Sequence, residues 1–316
     1  MRALIYYGPG DLRVEEVPRP EPRPGDVLVQ VELALTDGTD AKAFRRGHPL
    51  LLDDLPSPFG HEFCGVDVAT GRRVVAANSA PCGDCAACQR GDETLCERLR
   101  PFLNGAYAEY VLVPERIAAR NLLPVPPRLA SEVAALLEPL ACCLNGIERA
   151  GIQGGETVAV VGPGPIGLML CAAARDAGAA IVVAVGGRPE RRGLARSFGA
   201  EPGDGDGADV VIEAVGSEQA WRDAVQLVRP GGTVVLFGGL PRGCDVPLDA
   251  YRLHYEEVTV CGAFHHAPRH VRAALAFLAS EAYPWERLVT HRVGLDGVAG
   301  LFAAPTPELL KAAVLP

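Results

Sequence analysis

Four cysteines, Cys82, Cys85, Cys88 and Cys96, follow one another as C-x-x-C-x-x-C-x7-C. Four thiolates at this spacing can close a tetrahedral zinc site with no open position, which ties a loop together without taking part in chemistry. The plain alternative is a chance cluster of free thiols. A second group has the opposite character. It comprises Asp37 and Thr39 in Asp37-Gly38-Thr39-Asp40, His61 and Glu62 after Gly60, and Glu138 before Pro139. Asp37, His61 and either Glu62 or Glu138 would supply one nitrogen and two oxygens and leave room for water or substrate, as a Lewis-acidic zinc requires. Taken singly, each has a structural reading: Asp37 as a turn residue, His61 as a hydrogen-bonded core histidine, Glu138 as a charge at a helix N-terminus.

A third constellation binds nucleotides. Val158 to Val161 is an apolar strand that runs into Gly162-Pro163-Gly164-Pro165-Ile166-Gly167 and then into an apolar stretch predicted to be helical from about Leu168. Glycines in G-x-G-x-x-G allow a tight turn and close approach of a pyrophosphate, and the helix start offers unpaired N–H groups and positive dipole. NAD sites of this kind carry an acid about twenty residues on, against the ribose hydroxyls. Here the place reads Val185-Gly186-Gly187-Arg188-Pro189. Without the carboxylate, with room at Gly186 and Gly187, and with Arg188 able to pair with a phosphate, NADP is expected over NAD. The plain reading makes Arg188 a solvated charge and leaves NAD as the cofactor.

These residues need elements to hold them. From Met1 to about Val113 short alternating strands (Val27 to Leu33, Arg73 to Ala77, Ala108 to Val113) are separated by Pro- and Gly-rich turns, a mostly β lobe that contains the cysteine cluster, Asp37 and His61. Leu123 to Arg128, with three prolines, reads as a linker, and Ser131 as the start of a helix. From Glu156 apolar strands alternate with helical stretches: Val158 to Val161, Ile181 to Val185, Asp209 to Val215, Thr233 to Gly238 and Val258 to Cys261. That texture indicates an α/β, doubly wound parallel sheet covered on both faces. A helix at His270 to Ser280, a strand near Leu288 to Val293, and a final helix and strand are expected to rejoin the first lobe. The predicted domains are therefore 1–123 with 267–316, and 124–266.

A length of 316 residues, 48% of them hydrophobic, supports two such domains, and a net charge of -9 without basic runs argues against nucleic acid or an anionic membrane surface. No stretch approaches the ~20 apolar residues of a membrane span, and the N-terminus lacks a signal-peptide pattern, so a cytoplasmic protein acting on a small molecule is expected. The cysteines outside the cluster lie in apolar segments, which favours metal binding over disulfides.

The chain resembles the zinc-dependent medium-chain dehydrogenase/reductase (alcohol dehydrogenase) family over essentially its whole length. The matching pieces are Gly38-Thr39-Asp40, Gly60-His61-Glu62, the four-cysteine loop, Gly105-Ala106-Tyr107-Ala108-Glu109-Tyr110, Glu138-Pro139-Leu140, the glycine fingerprint and Arg229-Pro230-Gly231-Gly232. The resemblance implies a GroES-like catalytic domain plus a Rossmann domain, a structural and a catalytic zinc, and an oligomer, dimer or tetramer, joined through Rossmann edge strands such as Val258 to Ala263. It implies that His61 holds the catalytic zinc, that Glu62 is the adjacent exchangeable ligand, that Glu138 completes or backs the site, and that Thr39 takes the substrate's proton. Asp37 stands where most members have cysteine and looks like the glucose dehydrogenase branch, which also suggests a looser, more exchangeable metal. Lys42 replaces a common proton-relay histidine, and the loop between Gly65 and Gly71 is trimmed.

The expected reaction is hydride transfer between NADP(H) and a secondary alcohol, polyol or sugar hydroxyl or carbonyl. Its rivals are a zinc-independent quinone or enone reductase, against which His61, Glu62, Glu138 and the cysteine loop argue, and a non-catalytic NADP-binding protein with a decayed metal site. His265 and His266 follow the strand ending near Cys261 and could line the cleft, but are expected to be solvent-facing turn residues outside the site, and His48, His254, His270 and His291 to be structural or exposed.

Overall fold

The computed structural model describes residues 1–47, 52 and 54–316; His48 lies outside them. The chain divides into a first unit, Met1–Ala141 with His266–Pro316, and a second, Cys142–His265. The first therefore runs past the expected boundary at 123, for a local reason. Leu122–Pro124 is a strand that pairs with Arg73–Ala76. Beyond it, Arg73 donates to the Leu129 carbonyl and the Ser131 hydroxyl, and Ser131 donates to Glu32. Ser131 is thus the first helical residue, and its hydroxyl is occupied in tying the short helix Ser131–Ala134 to the sheet instead of capping it.

The first unit is built on a seven-stranded sheet. Val27–Leu35 is its hub, paired antiparallel with Glu62–Asp67, with Tyr110–Val113 and with Lys311–Leu315. Burial of Leu28, Val29, Val31 and Leu33 to Leu35 on a strand with neighbours on both sides explains why so apolar a stretch sits at the centre. A smaller sheet joins Arg2–Gly8 to Asp11–Glu16 and to Ser57–Pro58. Tyr6, Phe59 and Tyr107 pack together in the core, Tyr6 stacked on Phe59 and Phe59 edge-on to Tyr107.

The second unit is a six-stranded, wholly parallel sheet in the order Glu201–Gly203, Ile181–Val185, Thr157–Val161, Ala208–Glu213, Val228–Leu236, Thr259–Gly262. Strand order reverses between Thr157–Val161 and Ala208–Glu213, which is where doubly wound sheets bind nucleotides. Glu201–Gly203 escaped sequence reading because a three-residue Glu-Pro-Gly edge strand has no apolar run to detect. Thr259–Gly262 forms the other edge. Among the described residues no helix is long and apolar enough to cross a membrane.

Candidate active site, zinc lobe and nucleotide cradle

Of the two roles that sequence left open for Asp37, the structure shows the helix cap and leaves one oxygen over. Asp37 caps the helix Gly38–Arg46: its Oδ1 accepts from the Asp40 amide at 2.8 Å, and the Asp40 carboxylate accepts in return from the Asp37 amide at 3.2 Å. The cap uses one carboxylate oxygen, and the other, Oδ2, faces His61 Nε2 at 4.0 Å. Ligand atoms from Asp37, His61 and Glu62 lie within 4.8 Å of one another. Two ligands at ~2.0–2.1 Å from a tetrahedral metal are about 3.3 Å apart, so small side-chain rotations would let this nitrogen–oxygen set hold zinc.

His61 is oriented by Asp40, which the sequence reading left outside the site. Asp40 Oδ1 lies 3.1 Å from His61 Nδ1, so that nitrogen carries a proton toward Asp40 and Nε2 faces Asp37, where it would offer a lone pair once its own proton is displaced. Tyr107 donates to the other Asp40 oxygen and stands 3.1 Å from the Leu35 carbonyl. Gly60 explains why two separate motifs act as one piece. Its φ is +89°, and a Cβ there would come within 2.6 Å of the Tyr107 ring, while its carbonyl accepts from the amides of Gly105 and Ala106. Gly105-Ala106-Tyr107 thus packs on the residue before His61 and braces the acid that holds it.

Glu62 is fully buried, and both its oxygens lie 2.7 Å from Lys311 Nζ. Lys311 belongs to the strand Lys311–Leu315 and was invisible in sequence, since a lone lysine in an apolar strand has no local signature. Glu138 is buried, with His266 Nε2 3.8 Å away. His266 is 1% exposed, and its Nε2 lies 3.3 Å from Asn78 Oδ1. The expectation of a solvent-facing turn histidine is corrected there: chain reversal places His266 at the start of the segment that rejoins the first unit. His270 accepts from the Ala267 amide as a helix cap, and His254 packs against Tyr255 at the surface. Thr39 is half-buried on the first turn after Asp37.

Burial alone would lower the His61 pKa, but Asp40, Asp37 and Glu138 outweigh it and hold it well above the ordinary histidine value. Burial likewise pushes the Asp37 carboxyl up, and His61, Lys311 and the backbone amides of Asp40 and Thr39 reverse it to a net lowering. The metal-free site therefore keeps a proton on His61 that a metal must displace. Zinc affinity at this site is expected to fall by about tenfold per pH unit on acidification below that raised pKa, read by chelator competition at several pH values. A pH-independent affinity would mean that His61 is not a ligand.

In the zinc lobe the Cys82–Cys88 and Cys85–Cys96 sulfurs are 3.9 Å apart and Cys96–Cys82 3.4 Å. A tetrahedron of Zn–S bonds ~2.3 Å long has edges of about 3.8 Å, so the four thiols fit zinc. Disulfides are excluded by the same distances, and all ten cysteines are free.

In the second unit the helix begins at Pro165, earlier than the expected Leu168, with Gly164 as N-cap and Pro165 at the first position. Pro165 has no N–H, which leaves the Ile166 and Gly167 amides as first-turn donors without a helical acceptor. Gly162 adopts φ +95°, and a Cβ at Gly167 would lie 2.0 Å from the Gly162 carbonyl oxygen. Gly186 and Gly187 are also left-handed, at +76° and +74°, and Gly187 packs against Pro163 of the fingerprint. Arg188 follows as the exposed N-cap of the helix Pro189–Ala195. Glu213, another residue that sequence did not single out, is buried at the end of its strand and accepts from the Val215 and Gly216 amides at 2.7 Å each, shaping the loop beside Gly162.

Residues 23–127 match the alcohol dehydrogenase GroES-like domain, and residues 165–280 match the zinc-binding dehydrogenase domain. The chain is 31% identical to the erythritol/L-threitol dehydrogenase of Mycolicibacterium smegmatis, with 100% of the chain and 98% of that protein covered. It is 30% identical to the L-galactonate-5-dehydrogenase of Escherichia coli, over 92% of the chain and 91% of that protein. A zinc-binding dehydrogenase of Sinorhizobium meliloti, solved bound to NADP, superposes with a TM-score of 0.90 at 33% identity, covering 100% of this chain and 99% of that one. The chain belongs to the zinc-dependent medium-chain alcohol dehydrogenase family, in its polyol branch, and is an oxidoreductase of that kind.

Proposed function

We propose that the protein reversibly oxidises a secondary hydroxyl of a polyol or sugar, using NADP. The observation that carries this reading is the open set of Asp37 Oδ2 and His61 Nε2, oriented by Asp40 and surrounded by further carboxylates at Glu62 and Glu138. So polar a surrounding suits a substrate with several hydroxyls better than a large apolar alcohol. Zinc, when bound, would make the substrate hydroxyl more acidic, and NADP would accept the hydride.

Each residue then has a defined task. Asp37 and His61 would hold the metal, with Glu138 completing or backing the set, while Asp40 fixes the imidazole tautomer. Thr39, half-buried beside Asp37, would take the hydroxyl proton. Gly162, Gly164, Pro165, Ile166 and Gly167 would cradle the pyrophosphate. Gly186, Gly187 and Arg188 would receive a 2′-phosphate. The first acid after the strand, Glu190, stands inside the following helix. The exposed edge Thr259–Gly262 supports pairing between copies as a dimer or tetramer, and a cytoplasmic setting accords with the free thiols.

The test is steady-state turnover of zinc-loaded protein on a panel of polyols, aldoses and simple secondary alcohols with NADP and NAD in parallel. NADP-dependent turnover on a polyol or sugar is the expected result; cofactor binding without turnover on any of them would sink the reading. Arg188→Ala should raise KM for NADP by about tenfold to a hundredfold, the worth of a charge-assisted hydrogen bond, and leave KM for NAD unchanged. Equal loss with both cofactors would remove Arg188 from the 2′-phosphate site.

A further inference from the structure

Outside the four-cysteine lobe, Cys64, Cys143 and Cys171 are buried, while Cys142, Cys244 and Cys261 are half-buried. The three half-buried thiols have different neighbours. Glu218 accepts from the Cys244 thiol at 3.3 Å and pushes its pKa up. Cys261 donates to the Arg149 carbonyl at 3.7 Å, and burial pushes that thiol up as well. Cys142 has an imidazole instead: its Sγ and a ring nitrogen of His265 lie within 4.8 Å of each other.

The backbone around His265 is built to hold that ring in place. His265 has φ +64°, a left-handed conformation that strains a residue with a side chain and persists only where its surroundings impose it. Asn145 imposes it, since its Nδ2 donates to the Phe264 carbonyl at 3.1 Å and to the His265 carbonyl at 3.0 Å. Cys142 and Asn145 are three residues apart on the helix Leu137–Ala150 and share a face, so the amide that fixes His265 also keeps it beside the thiol. The Phe264 ring stacks on the imidazole with centroids 5.5 Å apart. The next residue of that helix, Cys143, donates to the Ile166 carbonyl of the glycine fingerprint at 3.7 Å.

We propose that Cys142 and His265 form a thiol–imidazole pair that reacts with peroxides, a modification site that hydride transfer does not use. His265 takes the thiol proton, and the thiolate attacks one peroxide oxygen. The S–O bond forms as the O–O bond breaks, sulfur gives up two electrons, and the departing oxygen takes a proton, leaving as water when the oxidant is hydrogen peroxide. The product is a sulfenic acid on Cys142. Two equivalents of a small thiol return it to the free thiol through a mixed disulfide, releasing water and the small-molecule disulfide.

The test follows each cysteine of the zinc-loaded full chain by peptide mass spectrometry during hydrogen peroxide treatment, with dimedone present to trap sulfenic acid. Cys142 should be trapped about tenfold or more faster than Cys244 and Cys261, short of the ~10²–10⁴-fold that a well-placed base can supply. His265→Asn, a side chain that tolerates left-handed backbone, should bring Cys142 down to the rate of the other two and leave theirs unchanged. Asn145→Leu, which removes both donors, should slow Cys142 in the same direction. A Cys142 that reacts no faster than Cys244 and Cys261 overturns the proposal in the parent protein alone, whether or not a variant folds. An unchanged Cys142 rate in His265→Asn overturns it as well.

Discussion

His61→Ala is expected to lower kcat/KM on the best polyol substrate by about a thousandfold or more, because Lewis-acid assistance is worth several kcal/mol and each ~1.4 kcal/mol is a factor of ten. The loss should be accompanied by loss of the metal at the non-cysteine site, with the cysteine site still loaded. Asp40→Asn separates position from ligation. It keeps a side chain beside Nδ1 but removes the charge that fixes the tautomer, so a loss of about tenfold to a hundredfold is expected. Turnover that survives His61→Ala with metal gone from this site would instead support a zinc-independent reductase.

The largest structural effect is expected from Cys96→Ser. Its lobe has little else to fold around: the buried cluster is Cys85, Ala87, Cys96 and Leu99, with Cys82, Cys88 and Phe102 packed on it. Zinc–thiolate bonding, worth roughly 10–16 kcal/mol in isolated zinc peptides, would take the place of a hydrophobic core there. Arg116 and Arg120 tether the lobe through the carbonyls of Arg98, Leu99 and Cys82, contacts too few to hold it alone. Hydrogen exchange should show amides from Cys82 to Leu99 losing protection in the variant while the strands of the second unit keep theirs. Protection unchanged in the lobe would mean that the metal contributes little to it.

Legibility in the sequence followed the range of the interactions. The cysteine cluster, the glycine fingerprint and the parallel strands were readable because ligand spacing, tight turns and apolar periodicity are local. Asp37 was readable as two alternatives, and the structure shows the helix cap while turning the second oxygen, Oδ2, toward His61. Lys311, Tyr107 acting on Asp40, and His266 beside Glu138 were not readable as partners, because each meets its neighbour only after the chain has returned from a distant strand or turn. The compact unit runs past 123 for a similar reason: three prolines look like a linker, but Leu122–Pro124 satisfies a sheet edge, and Arg73 holds the Leu129 carbonyl and Ser131 beyond it.

The pairing of Lys311 with Glu62 has a consequence for biosynthesis. Lys311 is 275 residues from Thr36 and 249 from Glu62, so the carboxylate is made long before its counter-charge. The second unit, one continuous stretch from Cys142 to His265, can complete its sheet on the ribosome while the first still waits for a strand. During that interval Glu62 has no ammonium beside it. Docking of Lys311–Leu315 on Val27–Leu35 brings the strand and the counter-charge together, so closing the sheet and neutralising its buried acid are one event.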